Sequence, residues 1–256
     1  MITVTANELY DQVQSQDEEI ILNGPPMHLT GNFTLQNNTS EMLFIKELPM
    51  RSMAEGKTAF AQQANFPVNT ALNPGEVRNH FAWFSMNPQT SPGVYEAMIN
   101  VGGNEKRVRM VVQENVELEL QPSELFFKGV GPGKEHKAEV LLINRGNVPV
   151  NIPDIHHSTT LDMDFLCRSL VMAIREKGQE GYNATMDELT RNIHNDIAGW
   201  VEVKIDEAGQ QLPEGKSMAL HFTFKLPEKI ETRRDYFGDI RLIDDLVLSY
   251  KIIAGG

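Results

Sequence analysis

A chain of 256 residues with 41% hydrophobic and 23% charged side chains has an ordinary globular composition and is long enough for two domains. Its formal net charge of −12 argues against nucleic acid or an anionic membrane as partner, since both need a basic footprint. Cys167 is the single cysteine, so no intrachain disulfide forms, and no apolar run of about 18 residues offers a membrane span.

The opening MITVTANELY, followed by the acidic Asp17-Glu18-Glu19, does not read as a signal peptide. A cytoplasmic protein is therefore the expectation, or a periplasmic or exported one if a signal has been removed. The first clear strand is Asn32-Phe33-Thr34-Leu35, with apolar residues at every second position, and a second follows at Met42–Ile45. Arg51 to Asn69 has no period and reads as a long loop of the kind that carries recognition. An Asn-Pro-Gly turn at 73–75 leads into a strand with Phe81 and Trp83 at alternate positions. Phe81-Ala-Trp83-Phe84 breaks alternation, which turns at least one large ring toward solvent while the main use of these residues is core packing. Tyr95 then opens a hairpin that reverses at Gly102-Gly103 and ends at Val112. A boundary falls between Asn115 and Gln121, near a short strand at Val116–Leu120.

The second half repeats these signals. Val140–Ile143 is a strand ended by Asn144-Arg145-Gly146-Asn147, matching the strand that ends at Asn37-Asn38. Leu212-Pro-Glu-Gly215 matches Leu72-Asn-Pro-Gly75, and Phe222 and Phe224 match Phe81 and Trp83. Tyr236 running to Ile253, with Asp244-Asp245 at the turn, matches Tyr95 running to Val112. From Leu72 to Tyr95 is 23 positions and from Leu212 to Tyr236 is 24, whereas from Asn37 to Leu72 is 35 and from Asn144 to Leu212 is 68. The 33 extra residues therefore lie in one place, between Ile152 and Leu212. That gap reads as helix: Leu161, Phe165, Leu166, Leu170, Val171 and Ile174 form one stripe, and Met186, Leu189, Ile193, Ile197 and Trp200 a second. Gly178 and Gly181 separate them, and Thr185-Met-Asp-Glu188 has the form of a capping box. The simplest expectation is a hairpin laid over a sheet edge or one end of the fold.

Many short strands written twice predict a mainly β protein: two immunoglobulin-like β-sandwich domains at 1–116 and 117–256, the second with an inserted α-helical hairpin at about 158–198. The second half, through Leu120-Gln-Pro-Ser-Glu-Leu125-Phe126-Phe127, Val140-x-Leu142-x-Asn144-x-Gly146-Asn147-x-Pro149-Val150 and Leu212-Pro213-x-Gly215, resembles cytoplasmic immunoglobulin-like sandwiches of the major-sperm-protein and hydin type. That resemblance implies a non-enzymatic scaffold that binds peptides or proteins or assembles with itself. The helical insertion departs from the class, as does the lack of a basic face.

Catalytic chemistry finds little support. Adjacent His156 and His157 on an extended segment point opposite ways and share an ion poorly. Cys167 reads as a small buried hydrophobe. No Gly-x-Ser-x-Gly elbow and no phosphate loop occurs. We therefore expect no catalytic, cofactor or metal residues, and, rather than an enzyme, a non-catalytic binding or structural module that presents sheet edges, loops and the helical hairpin to a protein partner or to a second copy of itself. Methionines 42, 50, 53, 86 and 98 gather with aromatic residues in the first half and suit adaptable contacts. The candidate partner-contact residues are Met53, Phe60, Phe66 and Phe84 in the first domain, and Phe165, Met172, Met186 and Ile193 in the insertion. Alternative expectations are an accessory subunit of an enzyme complex, or an exported pilus-chaperone or surface-type protein whose signal peptide is absent from the chain.

Overall fold

A computed structural model describes residues 2–4, 12–52, 65–129, 131–162, 165–196, 200–228, 230–231 and 233–253. The chain divides into two compact units: Met1–Glu117 with Arg145–Pro149, and Leu118–Asn144 with Val150–Gly256.

The first unit is built from β1 (Ile2–Val4), β2 (Val13–Gln14), β3 (Glu19–Gly24), β4 (Leu29–Asn37), β5 (Leu43–Ser52), β6 (Asn65–Leu72), β7 (Val77–Phe84), β8 (Gly93–Val101) and β9 (Asn104–Val112). Strands β2, β4 and β7 form one ladder and β3, β9 and β8 another, and β5 pairs with β1 and β6 over Leu43–Pro49 and with β8 over Met50–Ser52. The first two ladders meet at a corner where Asn23 pairs with Thr30. The period-two pattern puts Phe33 and Leu35 of β4, Phe66 of β6 and Phe84 of β7 in the core, all buried. Phe66 stacks on Phe84 with ring centroids 6.0 Å apart, and Phe33 meets Phe66 edge-on at 5.9 Å. Each such ring contributes about 1.5–3 kcal/mol by leaving water. The turn Arg145–Pro149 belongs to this unit because Asn147 bonds its chain: Asn147 Nδ2 donates to the carbonyls of Thr90 and Gln113, both at 2.9 Å, and its Oδ1 accepts from Asn115 N. Gly146 lies so close to the carbonyl of Asn115 that a Cβ would collide with it.

The second unit comprises β10 (Leu118–Gln121), β11 (Glu124–Lys128), β12 (Glu135–Asn144), β13 (Val150–Asn151), β14 (His157–Asp162), β15 (Trp200–Ile205), β16 (Gln211–Leu212), β17 (Ser217–Lys225), β18 (Tyr236–Ile243) and β19 (Leu246–Ile253). One layer runs β10-β12-β17-β15-β14 and the other β14-β18-β19-β11, with β14 changing layers midway. Between β14 and β15 stand α1 (Phe165–Lys177), a 3-10 turn at Gly178–Glu180, and α2 (Tyr182–Asp196). Both units are immunoglobulin-like β-sandwiches, and the second carries the helical hairpin.

The repeat holds at atomic level. Asn37 pairs with Val13 as Asn144 pairs with Leu118. The main-chain N–H of Asn37 donates to Glu76 O, and that of Asn144 to Lys216 O. Asn37 Nδ2 reaches the carbonyl of Leu72 at 3.1 Å, and Asn144 Nδ2 that of Leu212 at 3.3 Å. Both asparagines are buried, so each ties the end of its core strand to the turn opening the next aromatic strand. β3 runs parallel to β9, and β11 parallel to β19. The two tight hairpins coincide as well, with positive φ at Gly102 (58°) and Asp244 (48°), as such turns require.

Four expectations change. Phe81 and Trp83 do not match Phe222 and Phe224: Asn37 with Glu76 and Asn144 with Lys216 set a register in which Ala82 and Phe84 are their counterparts, and one residue of slip exchanges the faces of a strand. Leu161 is in β14, where its backbone pairs with Phe237, so the helical segment starts at Phe165 and the insertion begins after the strand His157–Asp162. Asn65 to Asn69 belong to β6, which pairs with β5 and shortens the expected loop; residues 53–64 lie outside the described residues. The capping box is not formed. Gly181, at φ 101°, lets α2 begin at the next residue, one turn early, so Thr185 is interior and its hydroxyl donates toward Gly181 O, 3.0 Å away. Glu188 pairs instead with Arg191 at 2.8 Å.

Candidate interaction surfaces

The hairpin packs its polar side inward. α1 and α2 lie against each other, and neither described helix joins the core of the second sandwich. Their contact buries Ser169 and Ala173 of α1, one turn apart, with Thr185 and Glu188 of α2. Small residues at that spacing let helices approach closely and leave little apolar area between them. The described part of the apolar stripe faces away. Val171 is 63% exposed and Ile174 54%, with Leu170, Met172 and Cys167 exposed beside them. Cys167, Leu170, Val171 and Ile174 follow the i, i+3, i+4, i+7 spacing of a helix that packs against something. This overturns two expectations: among the described residues no hairpin side chain joins the sandwich core, so the hairpin does not read as a cover, and Cys167 is not buried.

A second apolar surface lies on the outer face of β7. Phe81 is 59% exposed and Trp83 53%, and Val77 stands on the same face. Beside them β4 offers Thr30, Asn32, Thr34 and Gln36. The same positions of the second unit are polar: His221 replaces Phe81 and Thr223 replaces Trp83. His221 Nδ1 lies 2.6 Å from Glu207 Oε1, a hydrogen bond that holds the ring above the usual histidine range. On the inner face of β7, His80 stands edge-on to Phe33 at 5.4 Å; burial, aided by the Arg78 charge, pushes it below that range.

The remaining candidates divide. Phe66 and Phe84 are fully buried in the first core, so they hold the sandwich together and present nothing to a partner. The alternation of β6 and β7 puts them there; the sequence reading missed Phe66 by taking Arg51 to Asn69 as a loop, and Phe84 because Phe81-Ala-Trp83-Phe84 breaks alternation. Met53 and Phe60 lie outside the described residues. Phe165 opens α1, though its side chain is not among those described; Met172 is exposed on the same helix, and Met186 and Ile193 are half-buried on α2. The sequence reading missed the outward pairing of Phe81 with Trp83 and the small pair Ser169 and Ala173.

His156 and His157 border an open depression of about 400 Å³ on the second sandwich, with Glu135, Glu202, Lys204 and Lys225 around it. Their rings are 6.4 Å apart, and His156 Nε2 is 3.4 Å from Asp154 Oδ2. Lys225 is paired with Glu202 at 3.0 Å and Lys204 with Asp206 at 2.8 Å. Among the described residues no three His, Cys, Asp or Glu side chains converge as metal ligands. No helix among them is long and apolar enough to cross a membrane.

No family model matches the chain, and no curated protein is similar to it in sequence. Among solved structures it is similar to a protein of unknown function from Porphyromonas gingivalis W83, at 12% identity over 94% of this chain and 98% of that one, with a TM-score of 0.27. It is also similar to titin immunoglobulin tandem domains A164–A165, at 12% identity over 94% of this chain and 96% of that one (TM-score 0.24). The ASH/PapD-like domain 7 of human CEP192 is similar at 11% identity over 53% of this chain and 82% of that one (TM-score 0.24). These are distant likenesses, and the functional reading rests on the surfaces described above.

Proposed function

We propose that this chain is a non-catalytic protein-binding or assembly module whose sandwiches are scaffolds and whose helical hairpin is a principal contact element. One observation carries the reading: the hairpin buries Ser169, Ala173, Thr185 and Glu188 within itself and turns Leu170, Val171, Met172 and Ile174 outward. Ordinary surface helices do the reverse, placing the apolar stripe on the core. An apolar stripe held away from the protein's own core is where a partner gains burial. Cytoplasmic residence, and binding through the major-sperm-protein style of surface, are part of the same reading, and the sequence resemblance supports both.

The test is affinity capture with quantitative proteomics, comparing the native chain with a Val171→Asp, Ile174→Asp double variant. Both positions are more than half exposed, so the variant keeps its fold. The reading expects at least one specific partner to be lost from the variant. Recovery of the same partners at the same yield contradicts it.

A further inference from the structure

The two sandwiches treat one sheet edge differently. In the second unit β17 is paired on both sides, with β12 and with β15. In the first, β7 occupies the place of β17 and, among the described residues, pairs on one side only, with β4. β15 pairs with β14 as well as with β17, whereas β6 pairs with β5 and, among the described residues, makes no ladder with β7.

Hydrogen bonding sets which groups this leaves over. In an antiparallel ladder successive residues bond to opposite edges. The bond from Asn37 N to Glu76 O gives the phase, so Arg78, His80, Ala82 and Phe84 direct their main-chain groups at β4. Val77, Asn79, Phe81 and Trp83 direct theirs at the other edge. The second unit shows that phase in use. His221, the counterpart of Phe81, gives its carbonyl to Asp206 N at 3.0 Å and its N–H to Glu207 Oε2 at 2.8 Å. The residues of β7 with outward main-chain groups are thus the ones whose side chains, Phe81 and Trp83 above all, stand exposed.

Edge strands of such length are ordinarily blunted. β6, which among the described residues also pairs on one side only, carries Pro67 and a positive φ of 50° at Asn69. β7 carries neither, and its one charged residue, Arg78, lies near the strand's start and is paired with Glu76. A second copy of the chain would bring another net charge of −12 to this edge, which opposes self-pairing.

We propose that the open edge of β7 takes an extended segment of a different protein as an added antiparallel strand, with apolar or basic side chains over Phe81 and Trp83. The main-chain groups of Val77, Asn79, Phe81 and Trp83 bond that strand as those of β17 bond β15, and the exposed rings accept aliphatic or cationic side chains on the outer face. An acidic segment is disfavoured by the chain's own charge. The site rests on the binding-module reading but is separate from the hairpin.

The test is amide hydrogen exchange followed by NMR, on the intact chain, with the capped peptide Lys-Val-Lys-Val-Lys-Val-Lys as probe. Three controls accompany it: the same peptide N-methylated at alternate amides, its Glu-for-Lys analogue, and the Phe81→His, Trp83→Thr variant, which transfers the second unit's residues to exposed positions. In the free protein the amides of Asn79, Phe81 and Trp83 should exchange about tenfold or more faster than those of His80, Ala82 and Phe84. The lysine peptide should slow them at least about tenfold, while the methylated peptide, the glutamate peptide and the variant lose most of that protection. Equal protection of odd and even amides in the free protein overturns the proposal, because the edge is then already sealed. So do protection that grows with protein concentration alone, which marks a second copy, and binding that N-methylation leaves intact. An inert hairpin would refute the contact element above yet leave these amides open, so the two failures are distinguishable.

Discussion

Replacing Asn37 by alanine should cost the first sandwich about 3 kcal/mol. Three carbonyls, those of Glu41 (2.7 Å), Leu72 (3.1 Å) and Asn73 (3.0 Å), surround Nδ2, and its two protons are shared among them. Oδ1 accepts from the N–H and hydroxyl of Thr39 at 2.9 and 2.8 Å. The groups around Thr39 and Glu41 lie near the surface and can turn to water, so losing their bonds costs about 0.5–1 kcal/mol each. The Leu72 carbonyl bond is buried, and leaving that oxygen without a donor adds about 1–3 kcal/mol. The chain has two tryptophans, Trp83 in the first unit and Trp200 in the second, so a Trp200→Phe background lets Trp83 fluorescence follow the first unit alone. For a urea slope of about 2 kcal/mol/M the midpoint should fall by about 1.5 M. The neighbouring exposed Asn38→Ala should leave it unchanged. A fall of less than about 0.5 M for Asn37→Ala would refute the claim that this side chain ties strand to turn.

Further outcomes follow from the same contacts. Phe84→Ala, in the packed ring cluster, should cost about 3–5 kcal/mol in the same assay, whereas Phe81→Ala, three residues earlier and exposed, should stay within about 0.5 kcal/mol. Gly146→Ala drives a Cβ into the Asn115 carbonyl and should lower stability by about 1–3 kcal/mol in thermal melts. Histidine protonation acts in two directions. His80 has its folded pKa lowered, so the unfolded chain takes up the proton first and stability is lost as pH falls below about 6.5; His80→Gln should flatten that acid-side loss. His221 has its folded pKa raised by Glu207, so its contribution is complete below about 6.5 and fades as pH rises through the folded value; Glu207→Gln should abolish the fade, read as the ring's NMR titration returning to the usual range.

Much of the fold was legible because the repeat is enforced by chemistry that sequence displays. Asn37 and Asn144 end alternating strands, and their distances along the chain to Leu72 and Leu212 are the spans their side chains bridge. The hairpin turns at Gly102 and Asp244 were legible for the same reason, since positive φ restricts the residues that fit. The aromatic strands were misaligned because Phe81, Trp83 and Phe84 offer two alternations, and only the ladder to β4 decides between them. Periodicity located the helices but not their orientation: a stripe at Leu170, Val171 and Ile174 looks the same whether it meets the chain's own core or a partner. Ser169 and Ala173, small and one turn apart, were the available sign that the two helices meet on the opposite side. The open edge of β7 had no local signature, because whether a strand is paired depends on where the segment after β5 goes.

Cys167 gives the most direct test of the outward hairpin, because it is the only cysteine and sits on the stripe with Leu170, Val171 and Ile174. Titration of the native chain with a chromogenic disulfide reagent should modify one thiol per molecule at the rate of a freely accessible cysteine. A thiol that reacts only after denaturant is added would place the apolar stripe against the protein itself and contradict the account.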